Sequence, residues 1–370
     1  MKVSLDVSAV PASPAGAGRY TIDLVAALAA REDVALTLVS RRDDGDRWDE
    51  VAPGADVVAA APGRRPARLA WEQMRLPRLL HGLGVELHHG PHYTMPERAR
   101  VPKVVTVHDL TFFDHPEWHE RTKVPFFRRA IRVAARHADA LVCVSRATAD
   151  RLARRLQPTA PVHVVAHGVD HARFTAAGDL DVDSARLAAL GVRPPYVLFV
   201  GTIEPRKDVP SLVRAFDRVA GHHRDMHLVV AGGPGWGAAA VDQAVAEARH
   251  ADRVLRTGYV SDDAVPALLR GASAVAYPSL EEGFGLPALE ALACGAPLVT
   301  TTGSAMEEVA EGAALLVRPG DVDALAGALD MLVRGDEGLA ARRRRGLEIA
   351  GRHTWSASAA GHVEVYRSLL

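Results

Sequence analysis

Two cysteines in 370 residues, Cys143 and Cys294, are too few for a disulfide framework, and their scarcity suits a reducing compartment. No uncharged apolar stretch reaches the roughly 18 residues of a membrane-spanning helix. The opening MKVSLDVSAVPASPAGAGRY lacks the apolar core of a secretory signal, because its apolar stretch breaks at Pro11. A soluble, cytoplasmic protein is the expectation. Charge of one sign is also missing: 44 basic residues face 45 acidic ones, a net −1, so no global field draws the chain to nucleic acid. Lysine is rare, at 4 residues against 40 arginines. There is no repeat with the 20–50-residue period of a solenoid.

What is present is an ordinary globular composition, 48% apolar and 24% charged. At about 100–200 residues per domain, the length argues for two domains. Short apolar runs alternate with amphipathic stretches, the pattern of βα units around a parallel sheet. In the first half the spacing predicts strands at Val3–Val7, Ala35–Val39, Val85–His88, Lys103–Val107, Ala140–Val144 and Val162–Val165. Helices are predicted at Gly18–Ala30, Phe126–His137 and Arg146–Arg155. The second half repeats the theme at Tyr196–Val200, His227–Ala231, Val254–Thr257, Ala274–Tyr277, Pro297–Thr300 and Ala314–Val317. The fold class is therefore α/β, two doubly wound domains, 1–167 and 196–355. Residues 168–195 are rich in Gly, Asp and Pro and read as a linker with a short helix. Residues 1–167 hold 24 basic and 19 acidic side chains (+5), and 168–370 hold 20 and 26 (−6), signs that would suit two faces of a polar cleft.

The strongest local signal is Pro278-Ser-Leu-Glu-Glu-Gly-Phe-Gly-Leu-Pro-Ala-Leu-Glu290. A buried strand ends at Tyr277, a glycine loop follows, and Pro287 fits the first turn of a helix. Gly283 and Gly285 permit close backbone approach, and amides near Gly285 and Leu286 would face an anion. Glu290 could accept from two neighbouring hydroxyls, as in ribose, and Glu282 from another hydroxylated group. A capped helix after a tight turn would explain the glycines and proline, but not the two flanking acids. A second segment, Phe199-Val-Gly-Thr-Ile-Glu-Pro-Arg-Lys-Asp208, closes the first strand of the second half. Arg206 and Lys207 there suit a diphosphate, unless the turn is simply exposed and its charges solvated.

The Glu282–Glu290 spacing, with Gly-Phe-Gly-Leu-Pro between, resembles the E-x7-E signature of retaining GT-B glycosyltransferases of family 4. The resemblance implies two Rossmann-like domains facing across a cleft, with a last helix, 356–370, crossing back to the first. It implies that Glu290 binds the ribose of a nucleotide-sugar, that Glu282 contacts the donor sugar, and that the backbone of Gly283, Phe284, Gly285 and Leu286 holds sugar and phosphate. Gly201-Thr202 and Glu204-Pro-Arg-Lys207 match the family's Gly-x-x-Glu-Pro-Arg-Lys, although many relatives place Arg where this chain has Thr202. The resemblance puts base recognition on the backbone of Gly258, Tyr259 and Val260.

Two further segments agree. The first βα turn keeps Gly16 and Gly18 of the family's Gly-Gly-x-Gly loop, with Ala15 in place of the first glycine. Thr21 stands where a dinucleotide fingerprint needs its third glycine, and no acid ends the second strand, which counts against a nicotinamide oxidoreductase. In Val105-Thr-Val-His-Asp-Leu110, His108 emerges at the end of a strand. Alone it would be a structural hydrogen-bonder; the resemblance makes it a donor-sugar contact, though not a general base.

No metal is expected. Asp181-Val-Asp183 lies in the linker, Asp321-Val-Asp323 reads as a helix N-cap, and the cations Arg206 and Lys207 would replace a metal. His88, His89 and His92 would line the acceptor side with Tyr93 and Phe112. Arg128, Arg132 and Arg136 recur every four residues of the 121–137 helix, as a solvated face or, as some relatives imply, a peripheral contact with the inner membrane face. The expected activity moves a sugar, with GDP-mannose the first choice of donor, to a glycan, lipid-linked or small-molecule hydroxyl. The alternatives are a catalytically silent sugar-nucleotide binder and an NAD-type oxidoreductase.

Overall fold

Apolar runs with no two-residue alternation demand strands covered on both faces, and the described residues place such strands in two parallel sheets of seven and six strands, with more exposed strands at the edges. The computed structural model describes residues 1–14 and 16–370; the alanine at the first glycine position of the Gly16–Gly18 loop lies outside them. The chain divides into one unit of Met1–Gly168 with Trp355–Leu370, and a second of Val169–Thr354.

The first unit holds β1 (Lys2–Asp6), β2 (Ala35–Arg41), β3 (Asp56–Ala61), β4 (Leu87–Gly90), β5 (Lys103–Val107), β6 (Ala140–Cys143) and β7 (Val162–Val164). They lie in the order β3-β2-β1-β4-β5-β6-β7, with Leu5 paired to Leu38 on one side and to His89 on the other. Helix Ala17–Ala29 covers β1 because Tyr20, Leu24 and Leu28 fall on one face at intervals of four. Each such leucine contributes about 1.5–3 kcal/mol by leaving water. Val363 and Tyr366 of the final helix, Trp355–Arg367, complete the same core. Strand β3 is absent from the sequence reading: it is a half-exposed edge whose Asp-Val-Val-Ala-Ala-Ala run carries neither alternation nor a fully apolar block.

The second unit holds β8 (Tyr196–Val200), β9 (His227–Ala231), β10 (Val254–Gly258), β11 (Ala274–Tyr277), β12 (Leu298–Thr301) and β13 (Ala314–Val317), in the order β10-β9-β8-β11-β12-β13. The segment read as a linker with a short helix does hold a helix, and it packs within the second unit. Helix Leu180–Ala189 sits in the second unit, its Asp183 taking both Nε and Nη2 of Arg270 at 2.6 Å, while Arg270 Nη1 donates to Thr175 O at 3.0 Å. In the fold Asp183 and Arg270 form an internal fork-to-fork pair. Among the described residues, no helix is long and apolar enough to cross a membrane.

Candidate active site

Open parallel sheets bind ligands at the carboxyl ends of the strands where the strand order reverses. In the second unit that point lies between β8 and β11, and both strongest sequence signals emerge there. After β8, Gly201-Thr202-Ile203-Glu204 leads into a single turn, Pro205–Lys207, closed by Asp208 in the left-handed region at φ +47°. After β11, the loop returns across it, with Leu280 N–H donating to Arg206 O at 2.8 Å.

That contact sets Glu282 on two cations. Arg206 Nη1 lies 2.5 Å from Glu282 Oε2 and Lys207 Nζ donates to Oε1, while Ser279 Oγ adds a third donor at 3.1 Å. Arg206 also donates from Nε to Glu204 Oε2 at 2.7 Å. Lys207 and Glu282 are 7% and 8% exposed, which overturns the solvated-turn reading of these charges. Burial alone would raise the Glu282 carboxyl; Arg206 and Lys207 outweigh it and hold it down at about 2. Burial and the neighbouring Arg206 lower Lys207, and Glu282 draws it partly back. The result is an ionised, dry cluster that can meet both an anion and a hydroxyl.

The glycine loop runs into helix Leu286–Ala293, with Pro287 in the first turn. Gly285 has φ +103°, and a Cβ there would come within 2.8 Å of Met306 Cγ, so no other residue fits. Phe284 is buried beside the His353 ring, Gly283 and Leu286 are partly exposed, and Glu290 sits a turn into the helix.

One loop escaped the sequence reading. Gly232-Gly-Pro-Gly-Trp-Gly237 follows β9 and is stitched to the β8 loop by Ile203 N to Gly233 O (3.2 Å) and Gly237 N to Ile203 O (3.1 Å). A Cβ on Gly232 would lie 2.1 Å from Gly201 O, so glycine is what lets the two loops touch. Four glycines directly after a predicted strand were the available signal. Gly232 N also donates to Gly258 O at 2.7 Å, which brings the Gly258–Val260 segment to the same edge. There Tyr259 is 74% exposed and Val260 buried.

In the first unit the order reverses between β1 and β4. Gly16, at φ +48°, precedes helix Ala17–Ala29, and a Cβ on Gly18 would come 3.1 Å from Pro14 Cβ. His108 follows β5, nearly buried, with Nε2 donating to Pro91 O at 2.8 Å. Burial lowers its pKa, so the ring is neutral and Nδ1 is its acceptor nitrogen. Burial removes His88, His89, Tyr93 and Phe112 from the acceptor lining expected of them, whereas His92 is partly exposed. His88 and His89 are fully buried in β4, bonded to Ser4 Oγ (2.8 Å) and Thr106 Oγ1 (2.8 Å), and Tyr93 and Phe112 pack in the core with Phe127. Alternation within a short buried strand gave histidine no route to the surface. Of the helix arginines, Arg128 turns inward to Phe112 O at 2.7 Å, leaving Arg132 and Arg136 exposed.

A family model described as Glycosyltransferase Family 4 matches residues 14–173, and one described as Glycosyl transferases group 1 matches residues 194–334. The chain belongs to glycosyltransferase family 4. Its fold is GT-B, and the assignment removes the oxidoreductase alternative. Relatives within reach include an O-antigen chain mannosyltransferase B of Escherichia coli, 29% identical with both chains covered fully. A D-inositol 3-phosphate glycosyltransferase of Salinispora tropica is 34% identical over 73% of this chain and 60% of its own. Among solved structures, sucrose-phosphate synthase from Thermosynechococcus elongatus superposes with a TM-score of 0.81 at 21% identity, covering 100% of this chain and 98% of that one. Anabaena HepE, crystallised with UDP-glucose, gives 0.78 at 19% identity over the whole of both chains.

Proposed function

We propose that this glycosyltransferase is a retaining mannosyltransferase that uses GDP-mannose and needs no metal. The observation that carries the reading is the pairing of Arg206 and Lys207 with Glu282 at the β8–β11 crossover. Fixed cations in a dry site favour departure of a nucleoside diphosphate, whose charge grows as the sugar–phosphate bond breaks. The bond from the anomeric carbon to the β-phosphate oxygen breaks, the acceptor oxygen bonds to the same face, and its proton passes to the departing phosphate. Glu282 would hold the sugar, Glu290 the ribose, and the backbone at Gly201, Thr202 and Gly283–Leu286 the phosphates. In the first unit, Gly16, Gly18 and His108 would meet the donor. Mannose as the sugar is supported by the O-antigen mannosyltransferase at full-length coverage. A UDP-sugar, as in the HepE complex, is the competing donor.

A thermal-shift panel with GDP, UDP, ADP and dTDP, with and without EDTA, tests this. A diphosphate at about 100 times its Kd stabilises the fold by about 2.7 kcal/mol. GDP should win, EDTA should leave the shift intact, and Glu290→Ala should abolish it. Transfer or hydrolysis of GDP-mannose should then vanish in Glu282→Ala, and the product's anomeric proton should report retention. A UDP winner would replace the donor assignment, and binding without turnover would leave a silent sugar-nucleotide binder.

A further inference from the structure

Five buried polar side chains of the first unit form one hydrogen-bond chain, and its direction can be worked out from one end. His362 Nδ1 lies 2.8 Å from Ser358 O, which can only accept, so Nδ1 carries the proton and Nε2 the lone pair. Tyr20 Oη, 2.9 Å from Nε2, must therefore donate to it. Its proton spent, Tyr20 accepts from Thr106 Oγ1 at 2.9 Å. Thr106 in turn accepts from His89 Nε2 at 2.8 Å, which leaves His89 Nδ1 to accept from Tyr366 Oη at 2.7 Å. Both imidazoles are neutral, as this requires, because burial lowers His362 to about 4 and His89 well below its ordinary value. The chain begins and ends on helix Trp355–Arg367, passing through β4, β5 and helix Ala17–Ala29.

Tyr20 is its hub and its link to His108. The two rings meet edge to face, with centroids 5.0 Å apart and planes at 80°. Tyr93 contacts the same imidazole at 5.4 Å and 76°, and Pro91 O fixes its tautomer. Thr106, which donates to Tyr20, lies two residues before His108 on β5.

We propose that Tyr20 is a positioning residue for glycosyl transfer: anchored by this chain, its ring holds the His108 imidazole in the plane that offers the Nδ1 lone pair to a hydroxyl of the donor sugar. The inference rests on the reading that His108 meets the donor. The C-terminal helix thereby sets the geometry of a group more than two hundred residues before it in the sequence.

The experiment measures kcat and KM for the sugar nucleotide selected by the panel, together with nitrogen-15 spectra of the histidine rings, in the full chain. The wild-type spectra should show His362 protonated at Nδ1, and His89 and His108 at Nε2. Tyr20→Phe should lower kcat about tenfold with KM near the wild-type value, and Tyr20→Leu, which also loses the ring edge, further. His362→Gln keeps an acceptor for the Tyr20 hydroxyl and should restore kcat, whereas His362→Phe should match Tyr20→Phe. All variants are assayed well below their own Tm. A kcat untouched in Tyr20→Phe and His362→Phe, or His362 protonated at Nε2, overturns the proposal. No turnover by the wild type overturns the glycosyl-transfer reading and the positioning role with it; turnover indifferent to Tyr20 overturns the positioning role alone.

Discussion

Glu72 and Glu282 lie at similar depth, 4% and 8% exposed, one in each unit, and burial pushes both carboxyls upward. Their neighbours then separate them. Glu282 touches Arg206 and Lys207 and is held at about 2. Glu72, on helix Arg65–Met74, is driven by burial and by the second acid Asp6 to about 8, with Thr94 and Arg68 pulling back only in part. At neutral pH one is ionised and the other mostly protonated. Depth fixes the size of the desolvation penalty, and cations at contact distance decide which protonation state survives it.

The largest test of that contrast removes the Glu282 charge and keeps its shape. Glu282→Gln leaves the Lys207 ammonium buried without a carboxylate, and breaking a buried pair from one side costs about 3–5 kcal/mol. Urea denaturation at pH 7 should show a loss of that order, whereas Glu72→Gln should show a gain, because by pH 7 Glu72 has lost most of its proton-linked stability. Equal midpoints for wild type and Glu282→Gln would mean that the cluster is solvated enough to tolerate a lone cation.

The second test runs on pH. Glu72 has a folded pKa above the unfolded value of 4.5, so the folded state binds the extra proton between 4.5 and about 8. Its stabilising contribution is complete below 4.5 and is lost as pH rises through 8, on the order of a few kcal/mol. Glu282 has the opposite sign: its contribution is complete above 4.5 and is lost as pH falls towards 2. Glu72→Gln should therefore flatten the fall in the urea midpoint between pH 4.5 and about 8 and leave the acid limb in place. A fall over that range that persists in Glu72→Gln would assign it to another group.

Which of these features can be read from sequence follows from their range. Strands such as Tyr196–Val200 and His227–Ala231 are apolar throughout because the parallel sheet covers both faces, and that pattern is local. Lys207 and Glu282 were each visible in a motif, but their pairing spans 75 residues and needs the reversal of strand order to bring β8 beside β11. The bond between His89 and Tyr366 spans 277 residues, and nothing near either position announces it. His88 and His89 were expected to line the acceptor side because histidine spacing says nothing about which strand buries them. Asp6 and Glu72 likewise carry no mutual signal, since their coupling comes from a strand end meeting a separate helix.

The smallest test sharpens the account of Glu282 without touching its cations. Ser279 Oγ donates to Glu282 Oε1 at 3.1 Å and is fully buried, while Ser279 O is held independently by Thr301 Oγ1 at 2.6 Å. Ser279→Ala therefore removes one donor to the ionised carboxylate and leaves the loop backbone anchored. With two cations still in place, the loss at pH 7 should be about 1 kcal/mol. A donor to the charged form lowers a carboxyl pKa, so its removal lets the Glu282 value rise and moves the acid limb of the urea midpoint to higher pH. An unmoved acid limb would show that Arg206 and Lys207 alone set the protonation of Glu282, which would make the contrast with Glu72 purely one of cation contact.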